Sequence, residues 1–564
     1  MAEALSRSDG PRPTAPDPKR AAPGTGSRPR NIDRPWRWAS RLLALSVLVP
    51  LTVILGSWLS FEPEVWVHLG GTVLPQLLVN TVWLVTGVAL GTLLLGVPLA
   101  WLTATCEFPG RRLLDWGLML PFALPAYVMA FVFVGALDFS GPVQAGLRGL
   151  FGLPPAWSFE VRNTFGVILV MTLVLYPYVY MLARVSFLGQ GRSAYEAARS
   201  LGLGPWAAFF RVSLPMARPG IIAGLSLALM EALADFGAVS VFNFDTFTTA
   251  IYKAWFGFFD LQSAAQLASI LLTIVLVALV LERRYRDRAR FTDTARSGAQ
   301  RRIRLSGGGA IVASLFGWAI FLFAFVLPFI RLASWAWAAR GDLDMRYLEL
   351  FWHTFSLGVM AGLLTVTAAF VLAFAQRYHA DLSTAVSVRI GTLGYALPGS
   401  VLAVGVMLSL TWFDNRLADA VEWLTGQDIG LVLSGTVAAL LMAYFARFLA
   451  VAYGPVDSSL ERIRPSIRDA ARSLGASQWE TVWRVYLPML SPGLLTAGLL
   501  VLVDVMKEMP ATLLLRPFGW DTLAVRIYEL TSEGEWGRAA LPSMALLLVG
   551  LVPVILLVRK SARH

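Results

Sequence analysis

The sequence is poor in the residues that build disulfides, metal clusters and soluble surfaces. Its single cysteine, Cys106, excludes an internal disulfide and a cysteine-based metal cluster. The four histidines show no ligand spacing along the 564-residue chain. Charged residues make up only 15% of the chain, against about 25% in an ordinary soluble domain. The composition therefore argues against both a disulfide scaffold and a soluble fold.

A phosphate-binding loop is also missing. Such a loop requires a lysine directly after a glycine, and none of the four lysines follows one. The sequence also contains no metal-ligand cluster and no nucleophile–base pair. It therefore predicts a protein that is not an enzyme, that needs no cofactor and to which no metal site can be firmly assigned.

What the chain does contain is long apolar sequence. Hydrophobic residues make up 56% of it, and the mean hydropathy is +0.63. A membrane span needs ~20 mostly apolar residues. The sequence predicts an all-α integral membrane protein in the lipid bilayer, with twelve transmembrane helices near 40–59, 77–103, 114–137, 164–186, 220–242, 263–281, 308–334, 352–375, 387–412, 430–454, 493–515 and 539–558.

The basic residues indicate how these helices are oriented. The net charge is +11, and 36 of the 47 Lys and Arg residues share one side of the membrane if the N-terminus is cytoplasmic. Short cytoplasmic loops carry such an excess. We therefore expect cytoplasmic N- and C-termini, and we attribute the positive charge to topology rather than to nucleic-acid binding.

The chain is a tandem repeat. Residues 196–220 and 469–493 match without a gap at 14 of 25 positions, at an offset of 273. The same offset relates Glu231 to Asp504 and Asp235 to Glu508. Since each half has an even number of helices, the two homologous six-helix halves should insert in parallel orientation.

The repeat divides the chain into five predicted segments. Parallel repeats also occur in secondary transporters, so the repeat alone does not identify the mechanism. The segments are a disordered basic cytoplasmic arm at 1–41, a first six-helix half at 42–281, an Arg-rich cytoplasmic linker at 282–306, a second six-helix half at 307–558 and a basic cytoplasmic tail at 559–564.

The repeated segment lies in the cytoplasmic loop between the fourth and fifth helices of each half. Each copy predicts a short helix with an acid, Glu196 or Asp469, in its first turn, where the helix dipole favours it. Gly202 and Gly475 should end these helices. A tryptophan four residues later predicts a second short helix that ends before a Leu-Pro pair. The segment should lie along the membrane surface and expose a rigid tip.

The pattern E/D-A-A-x-x-x-G, eleven residues and L-P resembles the signature loop of binding-protein-dependent ABC importer permeases. In that family the loop forms a coupling helix that docks on a cytoplasmic ATPase. The resemblance implies two ATPase copies, a periplasmic substrate-binding protein and a location in the bacterial inner membrane. By the same resemblance, the coupling residues are Glu196, Ala197, Ala198, Gly202, Asp469, Ala470, Ala471 and Gly475. An ordinary interfacial helix or a secondary transporter would have no reason to keep two such detailed copies.

Two further segments, 234–260 and 507–529, are similar to ferric-iron importer permeases. The resemblance implies ferric iron as substrate, moved from periplasm to cytoplasm by alternating access. The fused thiamine permeases are similar in design, so thiamine or another small solute stays open. Whether iron would travel free or chelated also stays open.

Four acids in apolar sequence are candidates for the translocation path. Glu231 and Asp235 lie one predicted helical turn apart, and Asp504 and Glu508 repeat this arrangement. Ionisable groups inside a bilayer are costly and usually face a pathway or a partner. The four carboxylates would suit a cation if they converge. The alternative is that they bind neighbouring helices and only hold the bundle together.

Prolines interrupt the third helix of each half, at Pro121, Pro125 and Pro398. A proline in a span frees a carbonyl and permits bending. The sequence leaves open whether these prolines act as hinges for alternating access or only shape the packing.

Overall fold

The computed structural model describes residues 34–190, 193–288, 302–378 and 381–561. Within these ranges twelve helices are long and apolar enough to cross a membrane, as predicted. They are α1 (Pro35–Leu59), α2 (Leu74–Thr105), α3 (Ala126–Phe151), α4 (Thr164–Gly189), α5 (Pro205–Ala234), α6 (Leu261–Glu282), α7 (Gly308–Asp342), α8 (Met345–Tyr378), α9 (Gly399–Thr425), α10 (Val437–Glu461), α11 (Trp479–Lys507) and α12 (Trp536–Ile555).

Short elements connect the spans. Helical structure continues past α6 to Arg288 and past α12 to Ser561. The strands in the described residues are Cys106–Glu107 (β1) and Ile303–Arg304 (β2), which pair in parallel. The short helices are Pro63–Thr72, Arg111–Gly117, Ser193–Ser200, Gly237–Val241, Phe247–Tyr252, Leu382–Gly391, Pro465–Ser473, Pro510–Leu515 and Leu523–Ser532.

The predicted arm and linker fall mostly outside the described residues, as do the last three residues of the predicted tail. Helical structure already begins at Arg34, inside the predicted arm and one residue before the span α1. At the other end of the linker, β2 holds the chain against the loop after α2. The Leu305 backbone nitrogen donates to the Glu107 carbonyl at 3.1 Å, which extends this contact.

The third span of each half begins later than predicted. The expected starts were 114 and 387, but α3 begins at Ala126 and α9 at Gly399. A 3₁₀ turn, Leu120–Ala123, precedes α3, and Pro125 is extended, with φ −60° and ψ 146°. Pro398 is equally extended, with φ −59° and ψ 140°. Proline disfavours helix in the residue before it, so an unbroken apolar run folds as two pieces.

The fifth span of each half begins earlier than predicted. The short helix that was expected to end before the Leu-Pro pair instead continues through a π turn, Phe209–Ser213 or Val482–Tyr486, into the membrane. The predicted break at Leu214 and Leu487 is therefore wrong. A proline ring clashes with the carbonyl four residues earlier in a regular α-helix, and the wider π turn before Pro215 gives that ring room.

The same spans also end earlier than predicted. α5 stops at Ala234 and α11 at Lys507, and the chain then forms the short helices Gly237–Val241 and Pro510–Leu515. Both breaks lie inside the protein, because the residues that follow are almost all buried. Non-helical backbone at membrane depth is tolerated only in such protein-enclosed or cavity-lining positions.

The two sequence halves are interleaved rather than packed side by side. One hydrophobic core joins α2, α3 and α4 with α7 and α12, and the other joins α8, α9 and α10 with α1 and α6. The ring centroids of Phe131 and Trp335 lie 6.3 Å apart across the first core. Those of Trp36 and Phe374 lie 4.6 Å apart across the second. The first and last spans of each half therefore pack against the other half.

Candidate functional site

The two repeated loops form matching helices outside the spans. Ser193–Ser200 precedes α5, and Pro465–Ser473 precedes α11; we call them loop helix 1 and loop helix 2. Glu196 lies in the first turn of its helix as predicted. Asp469 does not, since loop helix 2 begins four residues earlier, at Pro465. The dipole argument therefore applies to Glu196 and is wrong for Asp469.

Both loop helices end in the same hydrogen-bonded turn. Gly202 has φ +89° and Gly475 has φ +85°, a conformation that side chains with a Cβ rarely adopt. The Gly202 nitrogen donates to the Arg199 carbonyl, and the next nitrogen donates to the Ala198 carbonyl, both at 3.1 Å. Gly475 and Ala476 make the equivalent bonds at 3.0 Å. This is the Schellman arrangement, and it confirms the predicted role of both glycines as helix stops.

Exposed apolar side chains surround these turns at equivalent positions. Leu201 is 85% exposed and Leu474 is 88% exposed. Four residues after each glycine, Trp206 and Trp479 are also largely exposed. Exposed apolar groups grouped in this way mark protein-contact or membrane-contact surfaces. Of the residues that resemblance assigned to this surface, Ala198 is buried, Ala471 is partly exposed, and the exposed ones are Glu196, Ala197, Gly202, Asp469, Ala470 and Gly475.

The interior acids divide into two kinds. Asp235 follows the end of α5 in extended conformation. The prediction that it shares a helical face with Glu231 is therefore wrong. Its carboxylate accepts hydrogen bonds from the backbone nitrogens of Ala238 at 2.9 Å and Val239 at 3.2 Å. Asp235 therefore caps the short helix Gly237–Val241.

Glu508 has the same role in the second half. Its Oε1 accepts a hydrogen bond from the Ala511 nitrogen at 3.0 Å, at the start of Pro510–Leu515. Its Oε2 lies 3.4 Å from the Nε of Arg447, and both side chains are buried. Neither cap acid is therefore a free pathway carboxylate in this structure.

Glu231 and Asp504 instead face each other's half. The two carboxylates are close enough to interact electrostatically. The hydroxyls of Tyr178 and Tyr395 interact electrostatically with both Glu231 and Asp504. These four side chains keep partial exposure among buried apolar neighbours. They form a polar cluster between α4, α5, α11 and the turn before α9, which we call the interior cluster.

Two cations border the interior cluster, and both come from the second half. Arg447 of α10 interacts electrostatically with Glu231 and Asp504 as well as with Glu508. Lys507 ends α11, interacts with Asp504 and donates to the Phe122 carbonyl at 3.1 Å. The cluster is therefore mixed in charge, where sequence reasoning expected four converging carboxylates.

Sequence reasoning missed Arg447, Tyr178 and Tyr395 because it searched for repeated polar residues. At the offset of 273, their equivalents are Val174, Val451 and Phe122. An arginine and two tyrosines inside otherwise apolar spans were the available signal. Among the described residues, no group of three or more His, Cys, Asp and Glu side chains is arranged to hold a metal ion.

A family model described as "Binding-protein-dependent transport system inner membrane component" matches residues 96–290 and again residues 365–563. The two matches cover one permease half each and most of the chain. The chain belongs to this family. It is a multi-pass permease of binding-protein-dependent importers, and the prediction that it is a transport protein of this class is confirmed. The rival prediction of a secondary transporter is set aside.

Relatives of this permease differ in their named substrates. The Fe(3+)-transport system permease protein FbpB 2 of Haemophilus influenzae is 28% identical over 490 residues, which are 86% of this chain and 89% of that protein. The molybdenum transport system permease protein ModB of Escherichia coli is 32% identical over 192 residues, 33% of this chain and 82% of that protein. A probable ABC transporter permease of Sinorhizobium fredii, y4fN, is 24% identical over 512 residues, 85% of this chain and 86% of that protein.

Proposed function

We propose that this permease imports ferric iron from the periplasm to the cytoplasm by alternating access. The observation that carries the substrate is the similarity to FbpB 2, which extends over 86% of this chain and includes both halves. A relative that matched only one half would say nothing about the interface between them. The interior cluster lies at that interface, because Glu231 and Asp504 come from different halves.

The energy comes from separate cytoplasmic ATPases, two copies, with one on each loop helix. The support is the duplicated rigid turn at Gly202 and Gly475, which presents Leu201 and Leu474 to a partner. A membrane anchor would need only apolar character, whereas a protein groove requires the same geometry twice. The coupling residues are those of the repeated motif around Glu196 and Asp469.

The permease sits in the bacterial inner membrane with both termini in the cytoplasm. This orientation places the loop helices on the side where ATP is available. A periplasmic binding protein then delivers the substrate to the opposite face. We retain the division at 282–306 as a boundary between sequence halves, although the two cores are built from spans of both.

A second candidate substrate is an oxyanion such as molybdate. Arg447 and Lys507 border the interior cluster, and cations at membrane depth would favour an anion. ModB also matches a third of the chain at 32% identity. The ion pair between Arg447 and Glu508 argues against an oxyanion, because the Glu508 carboxylate already neutralises the arginine.

The substrate is tested on the periplasmic binding protein that works with this permease. Purified binding protein is titrated by calorimetry with ferric nitrilotriacetate, molybdate and thiamine. Our proposal expects a saturable response to ferric iron alone. Binding of molybdate or thiamine without ferric iron would contradict it.

A further inference from the structure

Loop helix 2 is fixed to the transmembrane spans at its start. Arg377, the next-to-last residue of α8, donates hydrogen bonds from its two terminal nitrogens to the carbonyls of Leu460 and Ile463. Leu460 lies in the last turn of α10, and loop helix 2 begins two residues after Ile463, at Pro465. Carbonyls at a helix C-terminus carry partial negative charge, which a cation stabilises. Arg377 therefore ties the end of α10 and the entry to loop helix 2 to α8.

The middle of loop helix 2 contacts the last residue of α8. The Arg468 guanidinium lies over the Tyr378 ring, 4.6 Å from its centroid. An aromatic face attracts a cation at this separation. The Tyr378 hydroxyl also hydrogen-bonds to the Tyr486 hydroxyl, in the π turn that leads into the membrane part of α11. One side chain of α8 therefore contacts both the loop helix and the span that follows it.

The far end of the loop contacts the first half of the permease. Trp479 begins α11 four residues after Gly475, and its ring centroid lies 5.7 Å from that of Trp36 in α1. Aromatic pairs at such a separation attract each other. Trp36 is itself buried and also packs on Phe374 of α8. The loop is therefore held at its start, its middle and its end, and the last contact reaches the opposite half.

The contacts of Arg377 and Tyr378 are not repeated in the sequence of the first half. At the offset of 273, Ala104 and Thr105 occupy the equivalent positions. The Ala104 side chain has no hydrogen-bond donor, and the Thr105 hydroxyl donates to a carbonyl of its own helix, that of Trp101, at 2.7 Å. The two repeated loops therefore share the exposed turn and differ in how the spans hold it.

We propose that Arg377, Tyr378 and Trp36 are positioning residues that make loop helix 2 move as one body with the ends of α8 and α10 and the start of α1. We call these three the anchor residues. The proposal rests on the proposed function, since it takes loop helix 2 as the docking element for an ATPase. Displacement of the loop then moves α10, which carries Arg447 beside the interior cluster.

Rigid attachment of the loop is what coupling requires. An ATPase can shift the permease between two arrangements only if its interaction free energy differs between them. A loop that slides against the spans would follow the ATPase without moving the rest of the permease, so that difference would be lost. ATP would still be hydrolysed while less substrate is moved. The number of ferric ions imported per ATP hydrolysed therefore separates a positioning role from a purely structural one.

The first test measures the loop itself, without substrate or ATPase. A nitroxide label is attached through Leu474→Cys in the full-length permease in lipid nanodiscs, and Leu201→Cys provides the equivalent position of the first half. The two side chains are 88% and 85% exposed, and the native Cys106 is buried. We expect Arg377→Ala to make the label at position 474 more mobile and to leave the label at position 201 unchanged.

The other two anchor residues provide independent variants for the same measurement. Trp36→Leu removes the ring that packs on Trp479, and Tyr378→Phe removes only the hydroxyl that binds Tyr486. Both should increase the mobility of the label at position 474. Tyr378→Phe keeps its aromatic ring in place, so it tests the anchor even if Arg377→Ala fails to fold.

The second test measures coupling in proteoliposomes that contain the permease, its ATPase and its binding protein. We expect Arg377→Ala to retain ATP hydrolysis and to lower the number of ferric ions imported per ATP by about fivefold or more. Arg462→Ala is the matched control and should change neither quantity. Arg462 is exposed and lies in sequence between the two residues whose carbonyls Arg377 binds.

An unchanged label at position 474 in both Arg377→Ala and Tyr378→Phe, or equal mobilisation at position 201, would overturn the proposal. An unchanged ratio of iron to ATP in a variant with a mobilised label would overturn it as well. Failure of the proposed function has a different signature. A wild-type permease that does not stimulate the ATPase would remove the assigned coupling, whereas the label mobilities do not depend on ATP or iron.

Discussion

The Glu508 carboxylate lies 3.4 Å from the Arg447 guanidinium, and the two side chains are only 4% and 12% exposed. The same carboxylate also caps Pro510–Leu515 through the Ala511 nitrogen. Its first-half equivalent, Asp235, also caps a helix. The first-half equivalent of Arg447, however, is the uncharged Val174. Both halves therefore use an acid to cap the short helix after the fifth span, but only the second half has a buried arginine beside that acid.

This difference predicts unequal effects of neutralising the two acids. Glu508→Gln leaves Arg447 without its ion-pair partner, and breaking a buried pair costs ~3–5 kcal/mol. Asp235→Asn keeps a good cap acceptor and should cost well under ~1 kcal/mol. Thermal unfolding of both purified variants in the same detergent measures the difference. Equal unfolding temperatures would mean that Glu231 and Asp504 replace Glu508 as partners of Arg447.

Gly399 provides space for the ion pair. A Cβ at this position would lie 2.3 Å from Glu508 Oε1 and 2.6 Å from Arg447 Nη1. We expect Gly399→Ala to lower the unfolding temperature in the wild type. In the Arg447→Val/Glu508→Asp background it should cost little, because that background restores the first-half arrangement around Ala126. The difference between the costs of Gly399→Ala in the two backgrounds measures the coupling between Gly399 and the Arg447–Glu508 pair. An equal cost of Gly399→Ala in both backgrounds would contradict it.

The loop glycines should be needed for coupling and not for insertion. Gly202→Val and Gly475→Val place a β-branched residue at φ +89° and +85°, although open space surrounds both positions. The variants should insert normally but lose transport and ATPase stimulation. Gly204→Val is the matched control, since Gly204 has φ −61° and equally open surroundings. Normal transport by Gly475→Val with its ATPase would show that the turn is not the coupling element.

Thiol labelling tests the orientation in the membrane. Leu201→Cys should react with an impermeant maleimide only from the cytoplasm, and Phe258→Cys only from the periplasm; both positions are largely exposed. The native background is usable because burial raises the pKa of the Cys106 thiol to about 11, and only the thiolate reacts. Labelling of Leu201→Cys from outside intact cells would overturn the assigned topology.

The sequence predicted the features that depend on local pattern. Apolar run length predicted the twelve spans, and the offset of 273 predicted the paired helix stops at Gly202 and Gly475. The sequence failed to predict the local structure where contacts with other segments of the protein determine it. The apolar segments around Pro125 and after Ala234 look continuous in sequence, although in the structure both are broken.

The sequence did not predict which spans pack against each other. Nothing in the periodicity of α1 or α7 indicates that each packs on the opposite half, because an apolar face fits many partners. The repeat itself also misled the site prediction. It directed attention to Asp235 and Glu508, which are helix caps, and away from Tyr178, Tyr395 and Arg447, which have no polar counterpart in the other half.

The most direct test of this account is ATP-driven ferric uptake by proteoliposomes that contain the permease, its ATPase and its binding protein. We expect uptake by the wild type only when ATP is supplied on the ATPase side. The Glu231→Gln/Asp504→Asn variant should assemble with the ATPase at normal yield, because Arg447 keeps Glu508 as its partner and Lys507 keeps the Phe122 carbonyl, yet fail to accumulate iron. Normal ferric uptake by that double variant, or uptake by the wild type without ATP, would contradict the account.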